Sequence, residues 1–400
     1  MRTMLDAKDP AACGGDKASP GDLKLGKVYY FTFLAAAACL LPILTLYYEK
    51  QGMTGEQIGF LASMPPLMTL IGASLWGGLA DATGMQKRLV TFALAGSALA
   101  AVGILFAPDF AWLLGAVVLF SFFFAPLFPL SDNSILELLR SEPHRYGRIR
   151  LWGSIGWGIA APLIGFVVQQ RGLAWGFYAF IVGMLASALV SLRLPAVTAR
   201  RGIPFRKGLA RFLRDKRWSV FLAVIFTGGI GLGVIDNYLF LYLNSMHASN
   251  IIMGLSLTFA VISEVVVFYL VDRILLRFGV RRVLMTALGL YALRFYFMSL
   301  VMVPWVTLPL QLMHGPTYAL MWASGVAYAK QYAPEGMRAT AQGLLASAYS
   351  GLGAVGGALV GGFLYEHLGA HMMYRWISVL LLAGLLLYVF TQRHASNGGL

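Results

Sequence analysis

Charge is scarce in this sequence. Asp, Glu, Lys and Arg make up 12% of the 400 residues, roughly half the share of a soluble domain. Acids are scarcer than bases, 17 against 31. Only two cysteines occur, Cys13 in a polar stretch and Cys39 in an apolar one, which argues against a disulfide framework and a cysteine metal site. No Gly-rich phosphate loop with its lysine is present, so ATP is not expected to supply energy within this chain. Nor is there a nucleophile elbow or any other catalytic signature; neither an enzyme nor a bound cofactor is expected. Residues 1–26 contain Asp, Gly, Pro and Lys without an apolar core. They do not form a signal peptide and read as a flexible cytosolic tail.

Apolar sequence fills the space that charge leaves. Hydrophobic residues reach 58% and mean hydropathy is +0.72, which places the chain among integral membrane proteins. A spanning helix needs roughly 20 mostly apolar residues. Twelve such runs are expected, near 28–48, 57–79, 89–107, 111–134, 149–169, 173–194, 218–243, 252–273, 283–303, 305–330, 340–365 and 372–391. The fold class is therefore an all-α polytopic membrane protein. Net charge is +14, but the bases sit in short loops beside apolar runs. They set topology and meet lipid rather than nucleic acid. Lys87, Arg88, Arg140, Arg145, Arg193, Arg200, Arg201, Arg206, Lys207, Arg281, Arg282, Lys330 and Arg338 share one side; Lys50, Arg171 and Arg375 are the clear loop cations of the other. The positive-inside rule then puts both termini in the cytosol.

The most basic internal stretch, residues 195–217, separates a first set of six spans (27–194) from a second (218–391), with a short cytosolic tail at 392–400. The halves repeat each other. Aligning Gly59 with Gly254 brings Gly84 onto Gly279 and Lys87 onto Arg282. At nearly the same offset Gly165 matches Gly362 and Gly172 matches Gly369. A parallel repeat of this kind indicates two pseudo-symmetric six-helix bundles around a central site.

An ionisable side chain at mid-span costs on the order of 2.5–3.5 kcal/mol on insertion scales, so each is a candidate for function. Glu264, Arg294 and His314 fall on spans eight, nine and ten. A histidine beside a carboxylate and a guanidinium is suited to proton exchange at physiological pH. Asp236 and Asn237 interrupt span seven, Asp132 and Asn133 interrupt span four, and Arg148 and Arg150 open span five. Gln311, Tyr318 and Trp322 lie on the His314 face at helical spacing, and Gly315 with Pro316 can bend that helix.

The segment GGLADATGMQKR, with Gly77, Asp81, Gly84, Lys87 and Arg88, resembles the loop motif of the major facilitator superfamily; the second copy departs from it, with Leu276 where Asp81 stands. Over about residues 27–391 the chain resembles the branch that holds lactose permease, phenylpropionate permeases and nucleoside:proton symporters. The run YGRIRLWGSIGW (146–157) is similar to the start of that branch's fifth helix. The resemblance implies proton coupling by Glu264, His314 and Arg294, and substrate contact by Arg150 paired with Asp132. Their places in the spans add Asp236 as a reserve proton site and Asn133, Asn237, Gln311, Tyr318, Trp322 and Tyr29 as further substrate contacts. One departure is that Thr317 occupies the place of a proton-carrying Glu. An aromatic lining from Tyr29, Tyr30, Phe120, Phe122 to Phe124 and Phe295 would suit a flat solute.

The expectation is a monomeric transporter in a bacterial inner membrane, taking up a small organic solute with a proton as coupling ion by alternating access. The alternative is a proton-driven antiporter exporting a small amphipathic compound, suggested by GIAAPLIG (158–165) in span five. A non-transporting receptor or scaffold is disfavoured, because it would have no use for costly buried charge.

Overall fold

Twelve helical rods and no strands make up the described part of the chain. The computed structural model describes residues 19–139, 142, 145–194, 215–334 and 337–397. Most of the expected tail (1–18), most of the linker (195–214) and Arg140, Arg200, Arg201, Arg206 and Lys207 lie outside the described residues, as do the last three residues and the side chains of Asp81, Arg338 and residues 392–397.

In the first half, α1 covers Pro20–Lys50, α2 Gly55–Thr83, α3 Gln86–Leu105, α4 Phe110–Leu139, α5 Tyr146–Arg171 and α6 Ala174–Ser191. In the second, α7 covers Lys216–Ser245, α8 Asn250–Phe278 and α9 Val280–Met298. The tenth rod, α10, runs in pieces from Pro304 to Tyr332. The eleventh, α11, starts at Arg338, passes through a π-helical stretch at Ser347–Gly353 and enters the long helix Ala354–Asn397. Gly369, at φ 77°, breaks that helix, and the part beyond is α12. Among the described residues, eight helical stretches are individually long and apolar enough to cross a membrane, and the one at Thr340–Thr391 holds both α11 and α12.

The rods begin where local chemistry starts them, which is often earlier than hydropathy suggests. A capping box places α1 at Pro20, inside the stretch expected to be tail: Asp22 N–H donates to Ser19 Oγ, and Ser19 N–H donates to Asp22. Proline suits the first helical position because its missing N–H would have no partner there. Thr54 and Gln57 form the same box at α2. At α7, Asp215 accepts from Arg217 N–H, so the helix opens at Lys216 within the expected linker.

The expected repeat is visible in the backbone. Gly84 and Gly279 end α2 and α8 at φ 64° and 78°, and Gly172 and Gly369 end α5 and α11 at φ 92° and 77°. A residue with a Cβ is strained in that region. The other aligned glycines bring the halves together. A Cβ at Gly59 would lie 2.7 Å from Ala358 O, and one at Gly362 would lie 2.5 Å from Gly55 O. Their repeat partners do likewise: Gly254 against Ala161 O at 2.5 Å, and Gly165 against Asn250 O at 2.3 Å. So α2 packs on α11, and α5 on α8, backbone against backbone.

These contacts lie toward the end of the bundle opposite the chain termini. Polar bonds seal the same end. Glu49 accepts from Asn244 Nδ2 (2.9 Å) and from the Tyr365 hydroxyl (2.6 Å). Gly55 N–H donates to Glu366 (2.5 Å), and His367 meets Glu56 at 3.0 Å. Among the described residues, no hydrogen bond joins the halves nearer the termini than the Thr258 to Gly158 bond at mid-depth.

Candidate functional site

Below this seal lies a cavity of about 520 Å³, within the roughly 300–1,000 Å³ of small-molecule pockets. Helices α1, α2, α4 and α5 form one wall and α7, α8, α10 and α11 the other; α3, α6, α9 and α12 contribute no lining residue. Each half thus supplies the same four of its six rods.

The polar groups are divided unevenly between the walls. Arg150 is the cation of the first wall. Its guanidinium lies over the rings of Tyr30 (5.3 Å) and Phe128 (5.8 Å) and has no ion pair among the described residues. The second wall carries Asp236, Asn237, Glu264, Gln311, His314 and Tyr318. Asp236 opens onto the cavity without a hydrogen bond or ion pair, and Arg150 and Glu264 are close enough to interact electrostatically.

Arg294 stands behind that wall, fully buried. It donates to Gln311 Oε1 (2.6 Å), Thr317 Oγ1 (3.2 Å) and His314 Nδ1 (3.2 Å). A guanidinium has no acceptor, so His314 Nδ1 is the acceptor. The ring proton therefore belongs on Nε2, which faces Glu264 Oε2 at 3.8 Å. While the Arg294 bond stands, His314 is held neutral in this tautomer. Arg294 Nε and Gln311 Nε2 are buried donors without partners.

The break in α10 sets this geometry. After Gln311 the helix unwinds and re-forms as a π turn over Gly315–Ala319, a form frequent at functional sites. Gly315 N–H donates to Ser263 Oγ at 2.7 Å, and a Cβ on Gly315 would lie 2.3 Å from Ser263 O. Ser263 precedes Glu264, so this contact locks His314 beside that carboxylate.

Several expected site residues lie elsewhere. Tyr29 is fully buried in the first half and bonded to Ser131, not in the cavity wall. Asn133 is exposed on the far side of α4. Trp322, two turns beyond His314, sits behind the wall against Tyr349, with ring centroids 5.9 Å apart; the π turn rotates it off the His314 face. Asp132 and Arg150 form no ion pair. Tyr30 stands between them, donating its hydroxyl to Asp132 and presenting its ring to Arg150. None of the expected aromatic lining borders the cavity: Phe120 and Phe124 pack in the first half's core, Phe122 and Phe123 pack around Trp76, and Phe295 is buried beside Tyr374. The aromatic lining comes from Tyr48, Phe128, Trp157, Phe240 and Tyr318. No spacing in the sequence singled out Tyr48, Phe128 or Trp157, because their facing depends on how whole rods are rotated.

A model of the MFS_1-like family matches residues 23–376. The chain belongs to that family. It is 28% identical over 374 residues to the maltose permease of Geobacillus stearothermophilus, covering 93% of this chain and 95% of that one. It is 26% identical over 375 residues to the probable 3-phenylpropionic acid transporter of Escherichia coli (strain K12), covering 88% and 93%. A mutant of the nucleoside transporter NupG has the same fold, with a TM-score of 0.81 at 20% identity, over 92% of this chain and 98% of that one. The protein is a multi-pass membrane transporter of the major facilitator type, and its relatives are permeases rather than enzymes.

In the loop motif of this transporter, the contacts of the described residues are few. Gly84 does turn the chain after α2, but a Cβ at Gly77 would meet nothing within 4 Å. Gly77 therefore makes no close helix contact in this conformation. Among the described residues Lys87 and Arg88 form no ion pair, and Arg88 reaches Met85 Sδ at 3.8 Å. The unforeseen anchor is Gln86, buried, whose Nε2 donates to Leu130 O (2.8 Å) and Ser134 Oγ (3.2 Å) on α4. Its polar type inside a basic loop resembles a solvated residue, and only the docking of α4 shows otherwise. Gln86→Leu removes both bonds, and we expect a loss of about 1–2 kcal/mol, read as a lowered thermal midpoint of the purified protein.

Proposed function

We propose that this transporter imports a small organic solute together with a proton, by alternating access through the central cavity, as a monomer in a bacterial inner membrane with both termini in the cytosol. The observation that carries this reading is the line Arg294–His314–Glu264, which ends on the cavity that would hold the solute. A neutral His314, fixed by a donor-only guanidinium, leaves the cavity carboxylates as the places for an arriving proton. Glu264 is the carrier and Asp236 its reserve; His314 and Arg294 position Glu264 and sense its charge. Neutralising Glu264 changes its attraction to Arg150 on the opposite wall, which links proton occupancy to the approach of the two halves. Arg150, Asn237, Gln311 and Tyr318 contact the solute. Asp132 acts on Arg150 through Tyr30.

The domains follow as residues 27–194 and 218–391 rocking about this chamber. The seal away from the termini supports a cytosol-open resting form. The GIAAPLIG fragment that suggested export also has a packing role: Gly158 O accepts from Thr258, and Ala161, Pro162 and Gly165 bed α5 on α8.

Right-side-out vesicles with an acidic exterior test the proposal, using labelled maltose, 3-phenylpropionate and uridine as probes. Accumulation of one of them above its external concentration, abolished by a protonophore, is the expected result. Loss of a preloaded probe driven by the same gradient would establish antiport instead.

A further inference from the structure

A second cavity, of about 480 Å³, lies on the lipid-facing surface between α5 and α6, away from the transport chamber. Two facing stripes build it. Ile164, Val167 and Arg171 recur on α5 at three- and four-residue spacing, and Trp175, Tyr178 and Val182 do so on α6. Residues at these spacings share a helix face. From Arg171 to Ile164 the groove descends about 10 Å, at 1.5 Å per residue. Its floor is apolar and its mouth is not. At the mouth, the Arg171 guanidinium lies 4.8 Å over the Trp175 ring, with neither a hydrogen bond nor an ion pair among the described residues. Trp175 packs edge-on to Tyr178, at 5.9 Å. Tryptophan and tyrosine concentrate where headgroups begin, and Arg171 ends α5 at that level.

We propose that this groove binds one anionic phospholipid of the leaflet away from the chain termini, its phosphate on Arg171 and one acyl chain along the stripe from Val167 to Val182. Charge decides the occupant. An unpaired cation above an apolar trench fits a molecule that is anionic at one end and hydrocarbon at the other. A soluble phosphate ester would use only the mouth. A second protein copy would have to cover Arg171 with an acid. The guanidinium beside Trp175 keeps N–H groups free for phosphate oxygens, which Arg engages in bidentate fashion.

Native mass spectrometry of the full chain in detergent tests this, with dioleoylphosphatidylglycerol and dioleoylphosphatidylcholine offered in equal amounts. Wild type should retain one phosphatidylglycerol with about fivefold preference, the scale of one basic residue near anionic lipid. Arg171→Gln should abolish the preference. Val182→Trp, at an exposed position that leaves the fold intact, should lower retention of both lipids by obstructing the trench. Equal retention of both lipids by wild type, or an unchanged preference in Arg171→Gln, would overturn the proposal. So would displacement of the lipid by an equal concentration of glycerol 3-phosphate, which would make the phosphate alone the ligand, or a Val182→Trp variant that binds as wild type does.

Discussion

Glu264→Gln is expected to reduce proton-driven accumulation to background while solute exchange across the membrane continues. Gln keeps the size of the side chain and its place beside His314 Nε2, but it cannot take up or release a proton. The loaded chamber can still alternate, so counterflow of a preloaded probe persists, whereas uphill movement ends because no ion moves with the solute. Nothing in the packing opposes the substitution: Glu264 faces the cavity, with His314 Nε2 at 3.8 Å and Arg150 within electrostatic reach. Parallel assays of accumulation and counterflow separate the two steps. If the variant still accumulates solute as wild type does, the carrier role moves to Asp236, and Asp236→Asn becomes the decisive companion.

The second large effect is expected at the glycine contacts that close the end away from the termini. Gly165→Val places carbon 2.3 Å from Asn250 O, and Gly362→Val places it 2.5 Å from Gly55 O. In both cases the obstructing atom is backbone, which cannot rotate away. Overpacking of this kind costs about 1–3 kcal/mol. Here the cost falls only on the closed arrangement, because the contact disappears once the halves part. Each 1.4 kcal/mol shifts a two-state population about tenfold, so either variant should favour the form open on that side. In a background with Cys13 and Cys39 replaced by Ser, a cysteine at Thr45, which lines the cavity, reports the shift. Labelling by an impermeant maleimide applied from that side should rise about tenfold, and transport should fall. Unchanged labelling in both variants would mean that these contacts do not hold the seal.

Much of the architecture was legible from the chain because its signals are local or periodic. Gly84 with Gly279, and Gly172 with Gly369, matched across the repeat and proved to be positive-φ turns at equivalent helix ends. Gly59, Gly254, Gly165 and Gly362 matched likewise and proved to be the points where the halves touch. Repetition preserves a backbone task, so alignment finds it without any knowledge of the partner. Charge in an apolar run is also conspicuous, and Glu264, His314 and Asp236 do meet at one cavity, with Arg294 directly behind it.

What failed was the sense of facing. Tyr29 and Tyr30 are adjacent and alike, yet one bonds Ser131 inside the bundle and the other stands between Asp132 and Arg150. Trp322 shares the His314 face of an ideal helix, but a π turn between them carries it out of the wall. Gln86 resembles a loop residue and is an internal anchor.

The sequence alone determined that the chain crosses the membrane many times, that its halves repeat, and which costly side chains are buried. Each of these follows from composition, period or the energy of placing charge in hydrocarbon. Tertiary structure alone decided which aromatic rings line the chamber, that Tyr30 separates Asp132 from Arg150, and that a guanidinium sets the tautomer of His314. These depend on the rotation of whole helices about their axes and on one interrupted turn in α10. Lipid on one side and protein on the other are both apolar, so hydropathy along a membrane rod hardly distinguishes its inner face from its outer one.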